Sequence, residues 1–265
     1  MTCDEAYSLF ESLIKTAHDA LFDQTLNCPF KSWQKEDKTW VTQCDQRIDN
    51  ELSQIIRQKG LLTVSEEGEH SLEVVKSGNY VTIDPIDGTF GYLDYLEMIN
   101  SVTDFGTVDL GPLHDFGLLV GIVEQAQPLF GLAYNYITQE AIMVDGVNRK
   151  NLIWKNKTRF YDQKFAAYLS SRVSSELEIK ISKIPGISII KQATMGWKSL
   201  YTILQPHERA IMVRETIHTG LWDILPGAVA ARCFGVGISL EFNKYVQLPN
   251  QGLIIKRGNW NGIEI

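Results

Sequence analysis

Apolar residues near the start of the chain recur every three or four positions: Ala6, Leu9, Phe10, Leu13, Ile14, Ala17 and Leu21. That spacing places them on one face of an α-helix. The pattern predicts a helix over residues 2–22, opened by a capping box of Thr2 and Glu5. A second helix is predicted over 45–59, with Ile48, Leu52, Ile55 and Ile56 inward and Gly60 as its stop. The period then shortens. Residues 61–64 and 80–83 read as strands. So do 116–124 and 128–136, joined by a short turn, and 141–144 adds another. Beyond Asp145-Gly146, strand-like runs at 164–169, 187–190, 210–214 and 253–256 alternate with helical ones at 197–204 and 224–234. Alternation of this kind implies a layered second half. The boundary falls near residue 150. It separates an N-terminal α+β subdomain, 1–150, from a C-terminal α/β subdomain, 151–265.

Composition narrows the class. A chain of 265 residues with 44% hydrophobic and 22% charged residues suits one large globular domain or two subdomains sharing a core. The formal charge of −7 argues against nucleic acid as a partner, and bound cations would neutralise part of it. No apolar run is long enough to cross a membrane, and no basic-then-apolar signature opens the chain. Cys3, Cys28, Cys44 and Cys233 form neither a CxxC pair nor a zinc spacing, so reduced thiols in a cytoplasmic protein are expected. No Gly-Lys-Ser/Thr phosphate loop is present, and Gly235-Val236-Gly237 lacks the rest of a dinucleotide fingerprint.

The chemistry concentrates in Asp84-Pro85-Ile86-Asp87-Gly88-Thr89. Two carboxylates leave the end of a strand with a proline between them, and proline turns the chain sharply. The turn can aim Asp84, Asp87 and the Ile86 carbonyl at one point, an oxygen set suited to hard cations such as Mg²⁺. Gly88 permits close backbone approach. Thr89 can open a helix, whose free N–H groups suit a phosphate. Ser65-Glu66-Glu67-Gly68 sits at another strand end, and Asp223 precedes an apolar run at a helix start. If Glu66, Asp84, Asp87 and Asp223 converge, cations must relieve their repulsion.

This order of elements resembles the inositol monophosphatase family of Mg²⁺-dependent, Li⁺-sensitive phosphatases. The family shows a Glu-Glu pair, then Asp-Pro-Ile/Leu-Asp-Gly-Thr, then a late Trp-Asp, here Trp222-Asp223. Thr42-Gln43-Cys44-Asp45 resembles its Thr-x-x-Asp element. The resemblance implies a layered αβαβα sandwich of the inositol monophosphatase / fructose-1,6-bisphosphatase fold. It implies that Glu66, Asp84 and the Ile86 carbonyl hold one Mg²⁺ and that Asp84, Asp87 and Asp223 hold a second. Asp45 and Thr89 would orient the attacking water, and Glu66 would do so through a third ion. Gly88 and Thr89, with Gly196 and Trp197, would meet the phosphate and substrate. The chain departs from the pattern at Gly91, in a longer 94–115 segment, in Trp222-Asp223-Ile224-Leu225-Pro226-Gly227, and in lacking a Glu-Ala-Gly-Gly after the Trp-Asp helix.

The expected partner is a small phosphorylated substrate, and a homodimer is the expected assembly. An inositol or related polyol phosphate is favoured. A 3′-phosphoadenosine 5′-phosphate phosphatase is the alternative, with Trp197 as the ledge for adenine. A non-catalytic metal-binding regulator of the same fold is the reading from another class. Arg172 and His218 are weaker pocket candidates, and 94–115 is expected to form a mobile lid or an interface loop.

Overall fold

The computed structural model describes residues 1–22, 32–35, 40–68, 71–101, 115–154, 164–170, 173–192, 194–205, 207–214, 220–236 and 253–259. Helices α1 (Cys3–Phe22) and α2 (Gln43–Gln58) form the first layer. The capping box of α1 is made: Thr2 N–H donates to Glu5 Oε2 at 2.7 Å and Glu5 N–H to Thr2 Oγ1 at 3.3 Å. Leu9, Phe10, Leu13, Ile48, Leu52 and Ile56 are fully buried, so both predicted apolar faces point into one core. Against them lies a six-stranded sheet. It comprises β3 (Thr63–Ser65), β4 (Tyr80–Asp87), β5 (Gly117–Glu124), β6 (Gln127–Asn135), β7 (Ala141–Asp145) and β8 (Lys150–Trp154), ordered as numbered. Short elements the periodicity did not reveal complete this half: the hairpin of β1 (Ser32–Gln34) and β2 (Trp40–Thr42), α3 (Leu72–Ser77), and β8 itself, which pairs with β7 across the expected boundary near 150.

Helix α4 (Thr89–Ser101) follows β4. Residues 94–101 therefore belong to a helix rather than a loop, and Tyr95 and Leu96 pack on the core. The remainder of the expected lid, 102–114, lies outside the described residues, as do Cys28, Arg172 and His218.

The second half contributes a four-stranded sheet in the order β10 (Ile187–Gln192), β9 (Phe165–Ser170), β11 (Arg209–Arg214), β12 (Leu253–Arg257). Helices α6 (Met195–Leu204) and α7 (Leu221–Cys233) lie between the two sheets, and α5 (Ser175–Ser182) covers the far face with Ile181. The layers thus run αβαβα. Among the described residues no helix is long and apolar enough to cross a membrane.

Helix α7 reaches the larger sheet because glycines receive it. A Cβ at Gly121 would lie 2.6 Å from Leu225 Cβ, and one at Gly131 would lie 2.7 Å from Pro226 Cα. Real Cβ atoms do not approach so closely, so the helix lies as near as it does at Leu225 and Pro226 because β5 and β6 present side-chain-free positions there.

Candidate metal centre and active site

The β4 end owes its shape to its proline. Pro85 has no N–H for the ladder. Pairing with β5 accordingly runs from Tyr80 to Asp84, opposite Leu119, and resumes at Asp87, opposite Gly117, with an irregularity between. Tyr136 Oη donates to the Pro85 carbonyl at 2.8 Å, which pins the bulge from the end of β6. Nothing in the sequence singles out Tyr136 for this role. At Gly88 the backbone turns to φ +90°. A side chain there would meet Thr194 Cγ2 at 2.8 Å and the Asp115 carbonyl at 3.0 Å, so the position admits glycine alone without strain. The chain then enters α4.

The bulge sends both aspartates to one place. Asp84, Asp87 and Asp223 each offer a carboxylate oxygen within 4.8 Å of the others. Asp223 comes from the first turn of α7, where its Oδ2 accepts the Gly220 N–H at 2.7 Å. Asp84 Oδ1 accepts the Ile86 N–H at 3.1 Å. Asp87 is held most firmly, accepting the Met195 and Gly196 N–H groups at 2.8 and 2.7 Å from the start of α6. A Cβ at Gly196 would fall inside the Leu119 side chain, so glycine lets this backbone approach Asp87.

Parallel pairing of β3 with β4 brings Glu66 alongside: Ser65 faces Ile83, and the Glu66 N–H donates to the Ile83 carbonyl at 3.1 Å. The Glu66 carboxylate lies outside the three-aspartate group. It is 3.3 Å from Lys35 Nζ, which also pairs with Glu67 at 2.6 Å. Lys35 follows the β1 strand, and the motif gave no hint of it.

Asp45 and Thr89 also meet. Thr89 Oγ1 is 3.1 Å from the Ile86 carbonyl and 3.4 Å from Asp45 Oδ1, and its single proton serves one of them at a time. Trp197 is placed differently from a substrate ledge. Its ring is 1% exposed and packs 5.4 Å from that of Tyr201, inside the core between the sheets.

Electrostatics follow from this crowding. Burial, then the charges of Glu66, Asp87 and Asp223, push Asp84 well above the usual carboxylate range. Burial also raises Asp87 to about 6, against the pull of the Met195 and Gly196 N–H groups and Lys198. Asp45 is raised to about 7 by burial, with Thr42 working the other way. Glu67 rises to about 8 through burial and the neighbouring Glu66. Burial works against the charge of Lys35, but Glu66 and Glu67 outweigh it and raise its affinity for a proton. An all-oxygen set of buried carboxylates whose charges repel one another fits a hard divalent cation.

A bulged strand end with clustered aspartates, inside an αβαβα sandwich, defines a family. The model of the inositol monophosphatase family matches residues 4–257, and the chain belongs to that family. Among solved structures, an IMPase/NADP phosphatase complexed with Mg²⁺ and phosphate is similar, at TM-score 0.69 and 14% identity, over 96% of this chain and 91% of that one. CysQ from Bacteroides thetaiotaomicron aligns at TM-score 0.67 and 17% identity, over 95% and 96% of the two chains. A staphylococcal inositol monophosphatase in a LiCl-soaked inhibitory complex aligns at 0.68 and 14%, over 96% and 90%. At these identities the structural likeness establishes the fold. No curated protein sequence matches.

Proposed function

We propose that the protein is a Mg²⁺-dependent phosphatase that hydrolyses a small phosphate monoester, an inositol or related polyol phosphate. The convergence of Asp84, Asp87 and Asp223 within 4.8 Å, where β4 turns into α4, carries the reading. Asp84, Asp87 and Asp223 would hold one ion, and Glu66, Asp84 and the Ile86 carbonyl another. Magnesium ions, when bound, supply Lewis-acid charge that activates water and stabilises the departing oxygen.

The chain's own groups do the rest. The first N–H groups of α4 would receive the phosphate, since they carry no counter-charge of their own to desolvate. Thr89 Oγ1 and Asp45 Oδ1, 3.4 Å apart, would hold the attacking water and take its proton, and burial raises Asp45 to about 7, where a base is useful at neutral pH. Positioning and electrostatics suffice for phosphoryl transfer, so no covalent nucleophile is required.

With its ring buried, Trp197 offers no adenine ledge, and this weighs for the polyol substrate over the nucleotide. The test is phosphate release from inositol monophosphates, sugar phosphates and 3′-phosphoadenosine 5′-phosphate, with Mg²⁺ and after chelation. Release from a polyol phosphate that chelation abolishes is expected. Release that survives verified removal of metal would overturn the mechanism, and no release from any monoester would favour a non-catalytic metal-binding regulator. Li⁺ should inhibit at millimolar order, since it brings a single charge to a divalent position; turnover indifferent to Li⁺ would argue against that geometry.

A further inference from the structure

The geometry points to Tyr136 as a positioning residue of the metal centre: through one peptide of the β4 bulge, its hydroxyl fixes the direction of the Asp84 carboxylate and so strengthens the binding of Mg²⁺. The proposal rests on the reading that Asp84 holds Mg²⁺, and it adds a residue that acts on the ion only through Asp84.

The Pro85 carbonyl and the Ile86 N–H are the two ends of one planar peptide. Tyr136 Oη donates to the first at 2.8 Å, and the second donates to Asp84 Oδ1 at 3.1 Å. Rotating that plane would break both bonds, and each bond polarises the peptide in favour of the other. Among the described residues Asp84 receives no other hydrogen bond, whereas Asp87 is held by two N–H groups from α6. The strand does not hold this plane by itself. Pro85 and Ile86 are left out of the pairing with β5, and Pro85 is buried, so its carbonyl needs a partner from outside the ladder. Tyr136 is in turn firmly placed. It is 1% exposed, and its N–H donates to the Phe116 carbonyl at 3.2 Å. Asn135 Oδ1 closes the turn around it by accepting the Ile137 and Thr138 N–H groups, each at 2.9 Å. The Tyr136 ring packs on those of Phe116 and Tyr134, with centroids 5.9 and 5.5 Å away. A donor locked by packing on one side of a ligand's supporting peptide is the arrangement that keeps a metal ligand aimed.

The test uses the full chain, stripped of metal and titrated with Mg²⁺ alone, read by calorimetry and by melting temperature. Tyr136→Phe removes the hydroxyl and keeps the ring. Tyr134→Phe is the matched control, because its hydroxyl meets His18 Nδ1 of α1 at 2.9 Å in the same aromatic cluster. Both variants should lower the metal-free melting temperature. Only Tyr136→Phe should raise the half-saturating Mg²⁺ concentration, by about tenfold or more, the scale on which groups that orient metal ligands act. Equal Mg²⁺ affinity in the wild type and a folded Tyr136→Phe would show the hydroxyl to be a structural brace only; the proposal would fall and the phosphatase reading would stand. A wild-type protein that takes up no Mg²⁺ would sink both. Because Mg²⁺ uptake is read rather than turnover, the proposal is decided even in a protein that releases no phosphate. Amide exchange on the wild type covers the case in which Tyr136→Phe does not fold. The Ile86 N–H of the metal-free protein should then exchange only with global unfolding. Exchange well ahead of global unfolding would mean that the peptide swings freely, and the proposal would be overturned.

Discussion

At the start of α2, Asp45 occupies the third helical position and its Oδ2 accepts the N–H of the N-cap, Thr42, at 2.8 Å. At the start of α7, Asp223 occupies the same position and accepts the N–H of Gly220 at 2.7 Å. The difference lies in the cap. Thr42 also gives its hydroxyl proton to Asp45 Oδ2 and accepts the Asp45 N–H at 3.2 Å, which turns this carboxylate inward on its own helix and leaves Oδ1 near Thr89. Gly220 has no hydroxyl to give. The Asp223 carboxylate is therefore shared between its helix and the Asp84–Asp87 cluster. One local motif thus leaves one carboxylate beside Thr89 and sets the other in the three-aspartate cluster, and the N-cap side chain distinguishes the two.

The sharpest way to break the comparison is Asp223→Asn. Turnover should fall by ~100-fold or more as an ion loses a ligand. Metal-free thermal stability should hold or rise, because repulsion with Asp84 is relieved. Near-normal turnover would show that Asp223 is only a cap.

Giving α7 a hydroxyl cap through Gly220→Ser should fail for a steric reason. A Cβ there overlaps the Trp222 ring, so a loss of about 1–3 kcal/mol by denaturant unfolding is expected. Thr42→Ala removes the reciprocal cap of α2. It should cost roughly 1 kcal/mol and spare Mg²⁺ binding, as melting with and without Mg²⁺ would show.

The smallest effect is in pH. Without metal, Asp45 at about 7 and Asp87 at about 6 hold protons more tightly in the fold than in the unfolded chain, where they leave near ~4. Their contribution to stability is present in acid and is lost as pH rises from about 4 through about 7. Mg²⁺ takes the place of protons at Asp87, so the gap between metal-free and Mg²⁺-loaded melting temperatures should widen over that window. A gap independent of pH would contradict the assignment.

Much of this was legible before any coordinates. The helical faces of α1 and α2, the strands of the larger sheet other than β8 and the order of acidic motifs follow from local spacing, which the fold keeps. Some signals were present but short: Ser71 and the left-handed Gly78 bracket α3, and Ser174 opens α5. What escaped depends on partners distant in sequence. Lys35 finds Glu66 and Glu67 across a hairpin whose first strand is wholly exposed. Tyr136 reaches Pro85 from the turn after β6, and Lys198 reads like any helix-surface lysine until α6 is enclosed between two sheets. Trp197 misled for the same reason: a tryptophan beside a pocket motif does not reveal which way its helix faces.

The seating of α7 on Gly121 and Gly131 ties the position of that helix to two side-chain-free places on the sheet behind it. A bulkier residue at Gly121 or Gly131 would lift the helix, and Asp223 with it. Trimming the helix side chains would not make room, because the nearest atoms include Leu225 Cβ at 2.6 Å and Pro226 Cα at 2.7 Å, which an alanine at either position would keep. A side chain at either strand glycine is accepted only if the helix backbone itself moves away.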